Sequence, residues 1–153
     1  MTGFLFELSF WLASPMWLLL ILAPGLRLTE RVAASPLTVV PVLLVYLALA
    51  VPVFPELWSA VRSPDLDSFR DLAALANGAG AIWAQVIAWD LLIGQWMYRE
   101  GRRLEIHPVV MSPLLVLTVL LSPVGLLAFL ALRATRTAHT RGSRTTARAS
   151  AAP

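Results

Sequence analysis

The sequence predicts an all-α, polytopic membrane protein: a bundle of four transmembrane helices joined by short loops. Three observations carry this. First, 58% of the 153 residues are hydrophobic, only 14% are charged, and the mean hydropathy is +0.74. A soluble domain has about 25% charged residues, so an ordinary soluble enzyme is excluded. Second, four stretches approach the ~20 apolar residues needed to cross ~30 Å of hydrocarbon at 1.5 Å per residue. Third, the charges gather between and after these stretches. The length allows one domain at most.

The expected spans are 8–24, 36–54, 72–98 and 113–132, with the transmembrane domain ending at 133. Runs this long in lipid must satisfy their backbone internally, which leaves helices. The first span carries no charge, but Glu7 precedes it, no basic segment leads it, and it ends in Pro24-Gly25. It therefore reads as a retained helix and not a cleaved signal. Ser35-Pro36, Ser63-Pro64 and Ser112-Pro113 read as helix starts, where serine caps and proline's missing N–H costs nothing. Ser14-Pro15 and Ser122-Pro123 fall inside spans, where proline predicts kinks, at Pro123 above all. In the third span Ala73, Ala74, Ala76, Gly78, Ala79, Gly80 and Ala81 surround Asn77. Small residues let helices approach closely in lipid, so this helix is expected at the centre, with Asn77 donating a hydrogen bond across helices; a merely alanine-rich span is the other reading.

Four spans put both termini on one side. Loops one and three hold five arginines (27, 31, 99, 102, 103), against seven (62, 70, 133, 136, 141, 144, 148) elsewhere, which favours cytoplasmic termini. Residues 134–153 read as a disordered, Arg-rich, solvated tail. Nucleic-acid binding is not expected despite the pI of 10.6, because the basic excess lies next to the membrane. All twelve basic residues are Arg, which suggests a GC-rich genome, a bacterium and hence its plasma membrane.

Asp90 is the lone acid deep in a span. An acid at the centre of a span costs about 2.5–3.5 kcal/mol on insertion scales and marks either function or a structural hydrogen bond. A carboxyl group withdrawn from water favours its neutral, proton-donating form, which suits acid catalysis on an apolar molecule. Matching depths from the third loop places Thr118 near Asp90 and Ser122 near Gln85, with Ser14 and Tyr46 about level. These six residues are the expected polar layer. Trp83, Asp90 and Gly94 share a helix face, with Trp89 beside it, and indole faces can stabilise a cation. Trp11, Trp58 and Trp96 read as interface anchors. The chain has no cysteine and two unpaired histidines, His107 and His139. No metal and no cofactor are therefore expected, and the chemistry available is proton transfer.

Several motifs carry a likeness. They are Phe10-Trp11, Trp17 through Gly25, Leu28-Thr29-Glu30-Arg31-Val32 and Ser35. Further along come Trp83, Ala88-Trp89-Asp90-Leu91-Leu92-Ile93-Gly94-Gln95-Trp96, Ser112-Pro113-Leu114-Leu115 and Ser122-Pro123-Val124-Gly125-Leu126-Leu127. On these, in this order over 10–133, the chain resembles the small membrane family named for the plant ABA-deficient-four protein, the neoxanthin-synthase-like family. It departs where that family has a histidine (Gln85 here) and an arginine (Gln95 here). The resemblance implies carotenoid work, the plant member being linked to converting violaxanthin to neoxanthin, a redox-neutral isomerisation. Two readings of the residues stay open. One is a cofactor-free carotenoid or isoprenoid isomerase, with Asp90 catalytic and Gln85, Trp83, Trp89, Thr118, Ser122, Tyr46 and Ser14 around the substrate. The other is a non-catalytic scaffold or lipid-binding protein in which Asp90 is structural. A transporter is the weaker third, since one acid makes a poor relay. Expected partners are the lipid bilayer and an apolar isoprenoid.

Overall fold

A computed structural model describes residues 1–150, with side chains as far as Thr137. The described residues are helical nearly throughout and contain no strand. Helix α1 is Thr2–Leu22, and a short α2, Arg27–Ala34, follows the Pro24-Gly25 turn. The second long element, Pro36–Arg62, chains a 3-10 turn (Pro36–Val39), α3 (Val40–Ala50), a second 3-10 turn (Val51–Val53) and α4 (Phe54–Arg62). After it come α5 (Leu66–Ala74), α6 (Ala76–Arg103), α7 (Pro108–Leu120) and α8 (Ser122–Ser150).

Thr2–Leu22 and Pro36–Arg62 are long and apolar enough to cross a membrane, and α5 with α6 makes a third if that bent pair is one span. Much of their apolar surface faces outward, including Trp11, Leu18, Leu22, Leu44 and Val51. Exposed apolar surface on this scale needs a nonaqueous neighbour.

Helix α6 is the centre, as the small residues suggested: α1, α2, α3, α5, α7 and α8 all pack on it. Ala81, Ala84 and Ala88 are buried, and Leu49 of α3 lies 3.2 Å from where a Cβ on Gly80 would stand. Asn77 joins α6 to α1, but as acceptor: the Thr2 hydroxyl donates to Asn77 Oδ1 at 2.6 Å.

The expected third span, 72–98, is broken at Leu75, and α5 lies at 101° to α6. Asp67, Arg70 and Asp71 explain the bend, because charged residues cannot follow an apolar helix into hydrocarbon. Ser63-Pro64 precedes this helix, but Asp65 caps it. The Asp65 carboxylate accepts from the Ser68 hydroxyl and amide, and these bonds hold it below the usual carboxylate range. Ser35-Pro36 does start a helix. Ser112-Pro113 lies inside α7, which begins at Pro108 with the His107 ring accepting from the Val109 amide.

The expected fourth span, 113–132, is interrupted at Leu121, where the backbone leaves the helix (φ −146°, ψ 74°). The reason is Pro123, which has no N–H for the Val119 carbonyl and whose ring collides with that turn. At the second position of a new helix both problems vanish. The kink expected at Pro123 is thus a full break, and the chain reverses through it. Along α7, Met111 lies against Gly101 and Thr118 against Met97, so α7 is antiparallel to α6. Along α8, Phe129 packs on Trp96 and Arg133 bonds Glu100, so α8 runs parallel to α6. The two form a helical hairpin whose tip, Leu121-Ser122, sits beside the middle of α6. Consequently Thr2 and Arg133 lie at opposite ends of the bundle, contrary to the four-span expectation. Helix α8 continues as far as Ser150 through most of the stretch expected as a disordered tail. Residues 151–153, and the side chains from 138 on with His139, lie outside those described.

The Glu100 end is pinned by polar contacts. Tyr98 donates to the Pro24 carbonyl, Thr29 to the Ala23 carbonyl at 2.6 Å, and Ser112 to the Ile21 carbonyl at 2.8 Å. Arg102 reaches Glu30 at 2.9 Å. Glu100 Oε1 accepts from Arg103 at 2.6 Å and from Arg133 at 2.7 Å, clipping α8 to α6. Because both arginines are well exposed, Glu100→Gln should cost only about 1 kcal/mol, read as a melting shift of a few degrees in detergent. A loss several times larger would mean that the clip organises the whole hairpin.

Candidate functional site

Asp90 lies half-buried near the middle of α6, on the wall of a cavity of about 300 Å³ between α1, α6 and the hairpin tip. Helix α1 contributes Phe10, Ala13 and Trp17, spaced three and four residues apart and so on one helix face. Helix α6 contributes Trp83, Val86, Ile87 and Asp90. The tip contributes Val119 to Pro123. Trp83 is held by stacking on Phe6, with ring centres 5.2 Å apart. Trp17 is fixed by Gly94, one turn beyond Asp90: a Cβ there would stand 2.6 Å from the indole Cζ3. Only glycine admits the ring at that point.

The lining is apolar and aromatic except for two groups, the Asp90 carboxyl and the Ser122 hydroxyl, which approach each other across the cavity. Ser122 is the first residue of α8. A helix start carries partial positive charge, so the broken helix itself supplies a polar end at the level of Asp90. Irregular backbone at membrane depth is tolerated where it is enclosed by protein or lines a cavity.

The structure therefore brings Asp90, Trp83 and Ser122 together out of the expected set, and places the others elsewhere. Gln85 is exposed and absent from the lining. Five residues along a helix is about 140° around it, so a side chain at 85 points away from Asp90. Trp89, at about 100° from Asp90, lines a separate groove. Thr118 is fully buried, but its hydroxyl donates to Leu114 O at 2.8 Å and rests near Sδ of Met97, seven residues beyond Asp90, at 3.5 Å. Ser14 donates to Phe10 O of its own helix at 2.8 Å. Tyr46 packs in a second core with Leu49, Ala81 and Ala84. Depth along a helix is easily counted; direction around it is not, and these five side chains turn elsewhere.

Phe10, Ala13 and Trp17 were missed. Their common face on α1 was the signal. Also unexpected is Gln95, where the resemblance has arginine: it is buried, and its Nε2 donates to Thr38 Oγ1 at 2.6 Å, tying α6 to the start of the second span. Among the described residues no three His, Asp or Glu side chains converge as metal ligands.

These features define a class: a small helical protein with membrane-length apolar helices, built on one central helix that bears a carboxyl group beside an aromatic cavity. The chain belongs to the ABA DEFICIENT 4-like family, whose model matches residues 4–129. That match takes in α1 to α7 and the first turns of α8, and so every residue of the cavity. No curated protein and no solved structure is detectably similar to the chain.

Proposed function

We propose that this chain is a membrane-embedded, cofactor-free isomerase of a carotenoid or other isoprenoid epoxide, with Asp90 as its acid. The observation that carries this reading is a carboxyl group on the wall of an otherwise apolar, aromatic cavity. The neutral carboxyl gives its proton to the epoxide oxygen, and the C–O bond breaks to leave a carbocation. The faces of Trp17 and Trp83 favour that cation. The Asp90 carboxylate then takes a proton from a neighbouring carbon, whose C–H electrons form the new double bond. Asp90 ends protonated, the product is an isomer of the substrate, and no electrons enter or leave. A single carboxyl serves as acid and then base, so Gln85 in place of histidine removes nothing from this cavity.

We read the membrane arrangement as three spans (α1, the Pro36–Arg62 element and α6) with α7–α8 as a re-entrant pair, in place of a fourth span. Arg27, Arg31, Arg99, Arg102, Arg103, Arg133 and Arg136 then fall at one end of the bundle and Arg62 and Arg70 at the other. Under the positive-inside rule the Glu100 end is cytoplasmic.

One observation favours a second reading. Asp90 approaches the first residue of α8, so it also suits a structural cap that holds the hairpin tip in a non-catalytic lipid-binding protein. Asp90→Asn separates the two, because the amide keeps hydrogen-bonding capacity but has no carboxyl proton to give. The isomerase reading expects turnover in a carotenoid-producing host to fall by roughly 10²–10⁴, with insertion and melting temperature unchanged. Unaltered product at equal protein level sinks it. A drop in melting temperature, with product per folded molecule retained, establishes the cap.

A further inference from the structure

A second groove, of about 410 Å³, runs between α6 and α8 and is lined by Trp89, Leu92, Ile93, Trp96, Leu126 and Leu130. None of these residues lines the Asp90 cavity. The α6 wall of the groove continues toward the basic end in seven-residue steps, from Trp96 to Arg103 and from Leu92 to Arg99, so both arginines stand over its end. Between the helices at that level Arg133 is bonded to Glu100. Arg103 touches the same carboxylate yet keeps 64% of its side chain exposed. Arg99 has no ion pair among the described residues. Three guanidinium groups against one carboxylate leave a cationic rim on an apolar slot.

The dimensions are those of one leaflet. Ten residues separate Trp89 from Arg99, about 15 Å of helix and half of the ~30 Å hydrocarbon thickness. We propose that this groove seats an acyl chain of an anionic phospholipid from the leaflet at the basic end, with its phosphate held by Arg99 and Arg103. Indole and leucine side chains match the chain, and guanidinium forks match phosphate oxygens. A second copy of the protein fits less well. Copies inserted with one orientation would bring their arginine rims together at the same depth, like charge facing like.

The test is native mass spectrometry of the whole protein in non-ionic detergent, titrated with phosphatidylglycerol or phosphatidylcholine of the same acyl chains. The expected result is retention of phosphatidylglycerol in preference to phosphatidylcholine. Each of Arg99→Gln and Arg103→Gln should lower that retention about fivefold, with phosphatidylcholine unaffected. Arg99→Gln breaks no ion pair among the described residues, so its effect stands apart from any loosening of α8. The double variant Arg27→Gln/Arg31→Gln removes two charges from α2 at the same end and should leave retention as it was. Equal retention of the two lipids overturns the proposal. So does an equal loss in both sets of arginine variants, or displacement of the lipid by inorganic phosphate alone.

Discussion

Gly125→Val should open the α7–α8 hairpin and lower the melting temperature by roughly 6–12 °C, from a loss of about 3 kcal/mol. A Cβ at 125 would stand 2.6 Å from both the backbone nitrogen and the Cα of Thr118. Those atoms belong to the last turns of α7 and cannot swing aside as a side chain can, so the cost sits at the upper end for overpacking. Gly125→Ala already introduces the offending atom and should show much of the effect. Gly3→Ala is the control, because an added Cβ there meets nothing within 4 Å. Thr118→Ala tests the cause: it removes the hydroxyl but not the backbone, so it should not rescue Gly125→Val. Full rescue would trace the close approach to the threonine side chain alone. Because the hairpin tip walls the Asp90 cavity, an opened hairpin should also move Ser122 away from Asp90 and weaken whatever the cavity holds.

Single-cysteine labelling should split the chain into two sides in a way that four spans cannot reproduce. The sequence has no cysteine, so each introduced thiol reports without background. With the hairpin re-entrant, Glu105→Cys and Ala134→Cys share a side, and Ser63→Cys lies across the membrane from both. With four spans, Ala134→Cys would share a side with Ser63→Cys instead. In the three-span reading, the seven-to-two asymmetry of the arginines described with side chains puts the first pair on the cytoplasmic side. In intact cells a membrane-impermeant maleimide should therefore label Ser63→Cys and spare Glu105→Cys and Ala134→Cys until the membrane is opened. Labelling of Ala134→Cys together with Ser63→Cys would restore the fourth span.

The parts of the fold legible in the sequence were those that depend on composition along the chain. The small-residue run around Asn77 marked α6 as the central helix, since nothing larger than glycine or alanine lets Leu49 and Leu72 come so close. Ser35-Pro36 marked a helix start. Asp90 stood out as the lone acid in a span, with Trp83 on its helix face; Ser122, expected level with Gln85, instead lines the cavity with Asp90. What failed was direction around the helix and the strength of the breaks. Gln85, Thr118, Ser14 and Tyr46 were expected in one polar layer with Asp90, yet one is exposed and the others meet their own helix or a second core. A proline predicts a disturbed helix; it does not say whether the chain bends or turns back. Here it turns back because Gly125 lets α8 close against Thr118, a contact between residues that are far apart on a continuous helix.

By itself the sequence determined that this protein is helical, apolar and poor in charge, with arginines gathered in short segments, because hydrocarbon tolerates only helices that satisfy their own backbone. It also singled out one carboxyl group, Asp90, as the lone acid deep in an apolar run. Only the tertiary structure decided where that group looks. Hydropathy records how long an apolar run is, not whether its two halves lie end to end or side by side. The reversal at Leu121, the indole of Trp17 seated on Gly94, and the start of α8 beside Asp90 together make the cavity, and each depends on residues distant in the chain.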